Sequence, residues 1–246
     1  MMGKVRRYES ATTLGRAAAD EFGRAAAAAV TARGSFRVAL SGGSTPRGLY
    51  DLLASEPHRR AIEWGAVDFF WGDERPVAPE HADSNFGMAR ATLLDNVPAD
   101  PDRVHRIEAE RPDHEAVARD YQEVIGRTFG VPADGPPPSF DLVLLGLGPE
   151  GHTASLFPDT AALDETERWV AANPVAVLGV DRFTLTAPLI NRAREVIFMI
   201  AGASKAEALA EVLEGTPDPH RWPAQLIRPL QGKLLWLVDE AAAARL

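Results

Sequence analysis

The chain has 246 residues, of which 46% are hydrophobic and 25% charged, and its net charge of −9 disfavours nucleic acid as a partner. It contains no cysteine, which excludes disulfides, thiol chemistry and zinc–thiolate sites. The charged N-terminal segment lacks the apolar core of a signal peptide, and no apolar stretch reaches membrane-spanning length. These features predict a cytoplasmic protein with one sizeable core that binds neither nucleic acid nor a membrane.

Apolar periodicity and turn residues predict helices that alternate with strands. Helices are predicted at residues 10–32, 46–54, 84–94, 113–129 and 204–213, with a short alanine-rich helix after residue 238. Strands are predicted at residues 36–40, 67–71, 103–107, 140–144, 169–175, 182–186, 195–201 and 234–238. This alternation is typical of right-handed βαβ units. The predicted fold is α/β: a Rossmann-like, mostly parallel sheet with helices on both faces, in a single domain over residues 1–246.

The most informative segment covers residues 145–158, Leu-Gly-Leu-Gly-Pro-Glu-Gly-His-Thr-Ala-Ser-Leu-Phe-Pro. It follows the buried strand at residues 140–144, so it lies at the sheet edge where open α/β folds bind ligands. Its glycines allow positive φ and a close approach to a ligand. A histidine is more often structural than catalytic, but His152 stands on this glycine-rich turn and can exchange a proton near neutral pH. The pattern therefore favours a catalytic role for His152.

A second motif, Ser41-Gly42-Gly43-Ser44-Thr45-Pro46, joins a predicted strand to the helix after it. Backbone N–H groups at a helix N-terminus favour anions, and the two hydroxyl residues beside them add donors. The string matches neither a Walker A loop nor Gly-x-Gly-x-x-Gly, so a dinucleotide is not indicated. We favour an anion or sugar site over a simple capped helix start.

The turn Gly72-Asp73-Glu74-Arg75 ends the next strand on the same sheet edge. The planar guanidinium of Arg75 suits phosphate or carboxylate. Asp73 and Glu74 are either a paired acid and base or the groups that hold Arg75 in place. Lys205 stands near the start of a predicted helix, which is unfavourable for the helix dipole unless an anion is shared.

The remaining histidines show no metal-ligand spacing, and we interpret them as surface or loop residues: His58, His81, His105, His114 and His220. The sequence also lacks Gly-x-Ser-x-Gly, which disfavours a covalent serine esterase. We therefore expect neither a metal nor a cofactor.

Five segments, in this order, resemble the 6-phosphogluconolactonase family: residues 41–50, 71–85, 141–158, 182–190 and 202–209. The strings Gly-His-Thr-Ala-Ser-Leu-Phe-Pro and Gly-Asp-Glu-Arg are highly specific. The resemblance implies metal-free hydrolysis of 6-phospho-D-glucono-1,5-lactone to 6-phosphogluconate in the oxidative pentose phosphate pathway. It also implies a Rossmann-like fold shared with glucosamine-6-phosphate deaminases.

Carried over by position, the resemblance makes His152 the general base that activates water. It makes Arg75 and Lys205 phosphate ligands, and Arg182 an arginine that faces the pocket. Glu150 is the second catalytic candidate beside His152. It replaces the aspartate that the family usually has two residues before the histidine, so whether it contacts the loop or His152 is an open question. The other substrate-binding candidates lie on the two turns: Gly42, Gly43, Ser44, Thr45 and Asp73. Whether the glycine loop contacts phosphate or sugar oxygens stays open.

Two alternatives compete with this interpretation. The first is a glucosamine-6-phosphate deaminase or isomerase, but that family carries an acidic residue where this chain has Ala154-Ser155-Leu156-Phe157-Pro158. The second is a sugar-phosphate sensor with a DNA-binding module, which the acidic charge and the single helix predicted before residue 36 disfavour. The expected partner is a small sugar-phosphate lactone, and we expect a monomer.

Overall fold

The computed structural model describes residues 3–246, and this range contains nine strands and seven α-helices. The strands are β1 (Lys4–Tyr8), β2 (Phe36–Leu40), β3 (Val67–Trp71), β4 (Asp73–Glu74), β5 (Leu142–Leu145), β6 (Val170–Val175), β7 (Val180–Leu185), β8 (Glu195–Ile200) and β9 (Lys233–Asp239). The helices are α1 (Ala11–Arg33), α2 (Ser44–Leu53), α3 (His58–Ala61), α4 (Asn85–Thr92), α5 (His114–Phe129), α6 (Ala187–Ile190) and α7 (Ala206–Glu214).

Six parallel strands form the main sheet in the order β1-β9-β8-β5-β2-β3. From β2 the chain passes outward to β3 and then returns to β5 on the other side of β2. The strand order therefore reverses between β2 and β5. In open α/β sheets, the crevice beyond the carboxyl ends of the strands at such a reversal is the usual ligand site. The predicted α/β class with a mostly parallel sheet is confirmed.

A second sheet of three antiparallel strands, in the order β4-β7-β6, lies beyond the carboxyl end of β3. Gly72 alone separates β3 from β4, and its carbonyl accepts a hydrogen bond from the Leu185 N–H at 2.8 Å. Asp73 pairs with Thr184 on β7. The small sheet thereby holds the Asp73 turn and Arg182 of β7 at the edge where the main sheet binds ligands.

Local sequence explains how the helices next to the sheet begin and end. Ser10 accepts a hydrogen bond from the Thr13 N–H, which forms a capping box at the start of α1, and Gly34 ends the helix in the left-handed conformation. Ser84 caps α4 by accepting from the Gly87 N–H. No helix among residues 3–246 has the length and apolarity that crossing a membrane requires.

Buried hydrophobic side chains form one cluster that spans the main sheet. All five residues of β3 are buried, and Phe70 packs edge-to-face on Phe140, with ring centroids 5.2 Å apart, just before β5 begins. Such aromatic pairs add about 0.5–1.5 kcal/mol beyond the burial of their area. This packing fixes the strands on either side of β2, and so the loops that follow them.

Two sequence predictions are wrong, and two features of the fold were not predicted. Residues 103–107 do not form a strand, because their β-pairing with β3 is limited to one isolated bridge between Phe69 and Val104. The alanine-rich end after β9 forms turns in which Asp239 accepts from the Ala242 N–H, rather than a helix. Strand β1 precedes the first predicted helix, and its exposed charged residues hide it from apolar patterning. Strands β6 and β7 pair as an antiparallel hairpin outside the parallel sheet.

Candidate active site

A cavity of about 190 Å³ opens at the reversal of strand order between β2 and β5. Its walls come from the loops after β2, β4 and β5 and from the turn before α7. These elements bring together six of the residues predicted from the sequence: Gly42, Gly43, Asp73, Arg75, His152 and Lys205. The crevice expected from strand topology is therefore the one that the predicted residues line.

His152 lies in this cavity, and two neighbours confine its ring. The imidazole stacks on Phe157, with centroids 4.1 Å apart and planes 22° apart. A Cβ atom at Gly148 would collide with the ring, with Nδ1 as the nearest atom, so only glycine leaves room for it. The Gly148 N–H also donates to the His152 carbonyl at 2.8 Å. The glycine-rich turn thus fixes the orientation of the imidazole.

Glu150 lies beside the buried nitrogen of His152. Its Oε1 is 3.0 Å from Nδ1, although the ring N–H and the carboxylate oxygen are not aligned as a regular hydrogen bond. His152 lowers the pKa of the Glu150 carboxyl, and the positive charge of Lys205 lowers it further. The extra methylene of glutamate therefore still allows contact with His152. Glu150 itself is half exposed and is not among the residues that line the cavity.

Asp73 is buried at the cavity wall, and its carboxylate is held by two neighbours. Oδ2 accepts a hydrogen bond from the Ser155 hydroxyl at 2.8 Å, and Oδ1 accepts from Asn85 Nδ2 at 3.3 Å. The Asp73 carbonyl accepts from the same amide nitrogen at 2.9 Å. Ser155 belongs to the loop of His152, so Asp73 links the two loops that face each other across the cavity.

Glu74 faces away from the cavity and supports α4. Its Oε1 accepts from the backbone N–H groups of Arg75 at 2.9 Å and Asn85 at 2.8 Å, and Oε2 accepts from the Phe86 N–H at 2.8 Å. Burial raises the pKa of this carboxyl, and the backbone donors oppose the change. Of the two roles that the sequence left open for Glu74, the structure supports holding Arg75 in place.

Two arginines lie close together beside Asp73. Burial lowers the pKa of Arg182, and the positive charge of Arg75 lowers it further, so the two guanidinium groups repel each other. Arg75 is tethered by a hydrogen bond from Nη1 to the Asp83 carbonyl. Neighbouring like charges of this kind are relieved by an anion that both can contact. Arg182 lies next to the cavity rather than among its lining residues.

The N-terminus of α2 opens beside the cavity. Gly43 is its N-cap, with φ of 102°, and no side chain caps the helix by a hydrogen bond. The first N–H groups of α2 are thus free to donate to an anion. Ser44 and Thr45 form the start of the helix but do not line the cavity, so their contact with a substrate stays a prediction.

Sequence reasoning missed three residues that shape the site: Asn85, Ser155 and Phe157. All three lie within the motifs that carry the family resemblance. Their position in those motifs is the sequence signal that could have identified them as site residues. Their roles depend on contacts across the fold, since Ser155 bonds to Asp73 and Asn85 lies against Gly42. Among residues 3–246, no group of three or more histidine and carboxylate side chains is arranged to hold a metal ion.

The fold and the cavity define a class of α/β proteins that bind a ligand at the carboxyl edge of a parallel sheet. The family model described as glucosamine-6-phosphate isomerases/6-phosphogluconolactonase matches residues 9–236. The chain therefore belongs to this family, which confirms the resemblance found in the sequence.

A 6-phosphogluconolactonase from Synechocystis is 45% identical over 218 residues, covering 89% of this chain and 88% of the relative. The structure of a 6-phosphogluconolactonase from Trypanosoma cruzi superposes with a TM-score of 0.88 at 32% identity, covering 99% of this chain and 97% of the other. A monomeric glucosamine-6-phosphate deaminase gives a TM-score of 0.82 at 20% identity over 99% of this chain and 100% of the other, a similarity of fold alone.

Proposed function

We propose that this protein hydrolyses 6-phospho-D-glucono-1,5-lactone to 6-phosphogluconate, in the oxidative pentose phosphate pathway, with His152 as a metal-free general base. The observation that carries the proposal is one cavity lined by the His152 imidazole and by the cations Arg75 and Lys205. A base beside cationic groups suits a substrate that has an uncharged ester group at the reacting position and a phosphate elsewhere in the molecule. The identity of the relatives supports the same substrate.

In this mechanism, His152 removes a proton from water as the water oxygen attacks the lactone carbonyl carbon. With Nδ1 buried against Glu150, Nε2 is the nitrogen that faces the water. The carbonyl oxygen becomes an oxyanion, which nearby N–H donors and cations stabilise. The ring C–O bond then breaks, and the ring oxygen takes the proton back from the imidazolium. The product is the open-chain acid.

The phosphate provides orientation at a distance from the reacting carbon. Arg75 and Lys205 line the cavity, Arg182 lies close to Arg75, and the open N-terminus of α2 lies beside them, so this side of the site is cationic. We assign the phosphate to this side and the lactone carbonyl to the side of His152. The proposal retains the cytoplasmic location and the monomeric state predicted from the sequence.

The decisive assay follows acid release from freshly made 6-phosphogluconolactone, corrected for spontaneous hydrolysis. We expect a rate proportional to enzyme concentration. The deaminase alternative would instead release ammonia from glucosamine 6-phosphate. The structure disfavours it, because the loop after His152 buries the apolar Leu156 and Phe157 in the string where that family carries an acidic residue. Ammonia release without lactone hydrolysis would contradict our proposal.

A further inference from the structure

Asn85 lines the cavity, yet neither the chemistry nor the phosphate contacts proposed above use it. It is the first residue of α4 and is 2% exposed. Its backbone N–H is fixed by Glu74 Oε1, and its neighbour Ser84 caps the helix. The side chain therefore extends into the site from a rigid helix start.

The hydrogen bonds of the amide define which way it faces. Asn85 Nδ2 donates to two acceptors of Asp73, the carbonyl at 2.9 Å and Oδ1 at 3.3 Å. If the amide were turned over, its oxygen would face both acceptors, so the repulsion excludes that orientation. Nδ2 is thus committed to Asp73, and Oδ1 points the other way.

The place taken by Oδ1 requires glycine at position 42. A Cβ atom on Gly42 would collide with the Asn85 amide, with Oδ1 as the nearest atom. Among residues 3–246, no group donates a hydrogen bond to this oxygen, and it is not sealed from the cavity. Asn85 Oδ1 is therefore a hydrogen-bond acceptor of fixed orientation at a binding site, and no group in the described part of the chain donates to it. Such an acceptor is suited to bind an O–H or N–H donor of the ligand.

We propose that Asn85 Oδ1 accepts a hydrogen bond from one ring hydroxyl of the lactone and so selects for a polyhydroxylated substrate. The inference rests on the proposed function, which supplies a substrate with hydroxyl donors at C2, C3 and C4. A site built around a polar partner rejects an analogue that lacks the partner, because its own polar group is then left unpaired.

The test compares kcat/KM of wild type and Asn85→Ala on the parent lactone and on three 6-phospholactones that lack the C2, C3 or C4 hydroxyl. For one of the three hydroxyls, we expect the ratio of kcat/KM on the parent lactone to kcat/KM on the deoxy lactone to be about 2- to 12-fold smaller in Asn85→Ala than in wild type. This factor is the contribution of one neutral hydrogen bond. Because both enzymes are compared on the same pair of lactones, the difference in intrinsic reactivity between the two lactones cancels. Any loss that is the same on every substrate also cancels.

Asn191→Ala is the matched control. Asn191 is bonded to Leu226 and Arg228 outside the cavity, so its loss should leave all three preferences at wild-type values. If Asn85→Ala does not fold, Asn85→Ser keeps a small polar residue at the start of α4. Unchanged preferences in the variant, or a wild type indifferent to all three hydroxyls, would overturn the inference. A wild type that leaves the parent lactone unhydrolysed would refute the proposed function instead.

Discussion

The Ser155 hydroxyl donates a hydrogen bond to Asp73 Oδ2 at 2.8 Å, and both residues are buried. This bond joins the loop that carries His152 to the turn that carries Arg75. A hydrogen bond to a charged group contributes about 1.5–3 kcal/mol, enough to keep the two sides of the cavity in register. The distance between His152 and Arg75 therefore depends on a hydrogen bond between two other residues, Ser155 and Asp73.

Replacing His152 by alanine should lower kcat by about 10²–10⁴-fold, the usual contribution of a general base. The side chain lies at the cavity rather than in the core, so circular dichroism and the melting temperature should stay near wild type. His58→Ala, a histidine on α3 outside the cavity, is the control and should retain full turnover. Near-normal turnover by folded His152→Ala would remove this residue from the mechanism.

Gly148→Ala should be almost as damaging as His152→Ala, because the added Cβ would occupy the space of the imidazole. We expect a fall in kcat of about 10²-fold or more, since a displaced base no longer reaches the water. Gly48→Ala places the same methyl group in open space on α2 and should be neutral or slightly stabilising. A fully active Gly148→Ala enzyme would show that the ring position is not critical.

Glu150→Gln should reduce activity less than His152→Ala, because glutamine keeps the length of the side chain beside Nδ1 and removes only its charge. His152 lowers the pKa of the Glu150 carboxyl, so the wild-type side chain is ionised near neutrality and can orient the imidazole. The measurement is kcat/KM of both variants on the same lactone. Glu214→Gln, at the exposed end of α7, is the control and should match wild type. A loss as large as that of His152→Ala would mean that the two residues act as a unit.

Arg75→Ala should weaken substrate binding through the phosphate. A charge-assisted hydrogen bond is worth about 1.5–3 kcal/mol, which corresponds to about 10- to 150-fold in kcat/KM. Glucono-1,5-lactone, which lacks the phosphate, should be a poor substrate of the wild type and should lose little more in the variant. Arg16→Ala, on the exposed face of α1, tests for a general effect of losing positive charge. Equal losses on both lactones would move Arg75 to a structural or oxyanion role.

Treatment with EDTA should leave the rate of lactone hydrolysis unchanged. The proposed base is an imidazole, and the proposed partners of the oxyanion and the phosphate are N–H groups and cationic side chains. The measurement is the corrected lactonase rate before and after chelation and dialysis. Loss of activity that one particular divalent metal restores would overturn the metal-free mechanism.

The parts of the site that could be predicted from the sequence depend on local pattern. The buried strand β5 and the glycines after it place His152 at the sheet edge, and the turn after β2 places Gly42 and Gly43 there as well. Each signal lies within about a dozen consecutive residues. The edge strand β1 gave no such signal, because its side chains alternate between exposed and half-buried positions without an apolar face.

The roles of Asp73 and Glu74 could not be separated from the sequence. Consecutive residues of a strand point to opposite faces, so the two carboxylates of β4 lie in different surroundings. Asp73 faces the cavity, and Glu74 faces the first N–H groups of α4. Which residue faces which side is set by the pairing of β4 with β7, a contact distant in sequence.

The register of β1 has a consequence for how the molecule is assembled. Lys4 is opposite Leu235, and Tyr8 is opposite Asp239, so the earliest strand of the described chain pairs with the latest. During synthesis on the ribosome, β1 must wait for β9 before it has a hydrogen-bonding neighbour, whereas β2, β3 and β5 can already pair. The crevice between β2 and β5 can thus take shape before the outer edge of the sheet is complete.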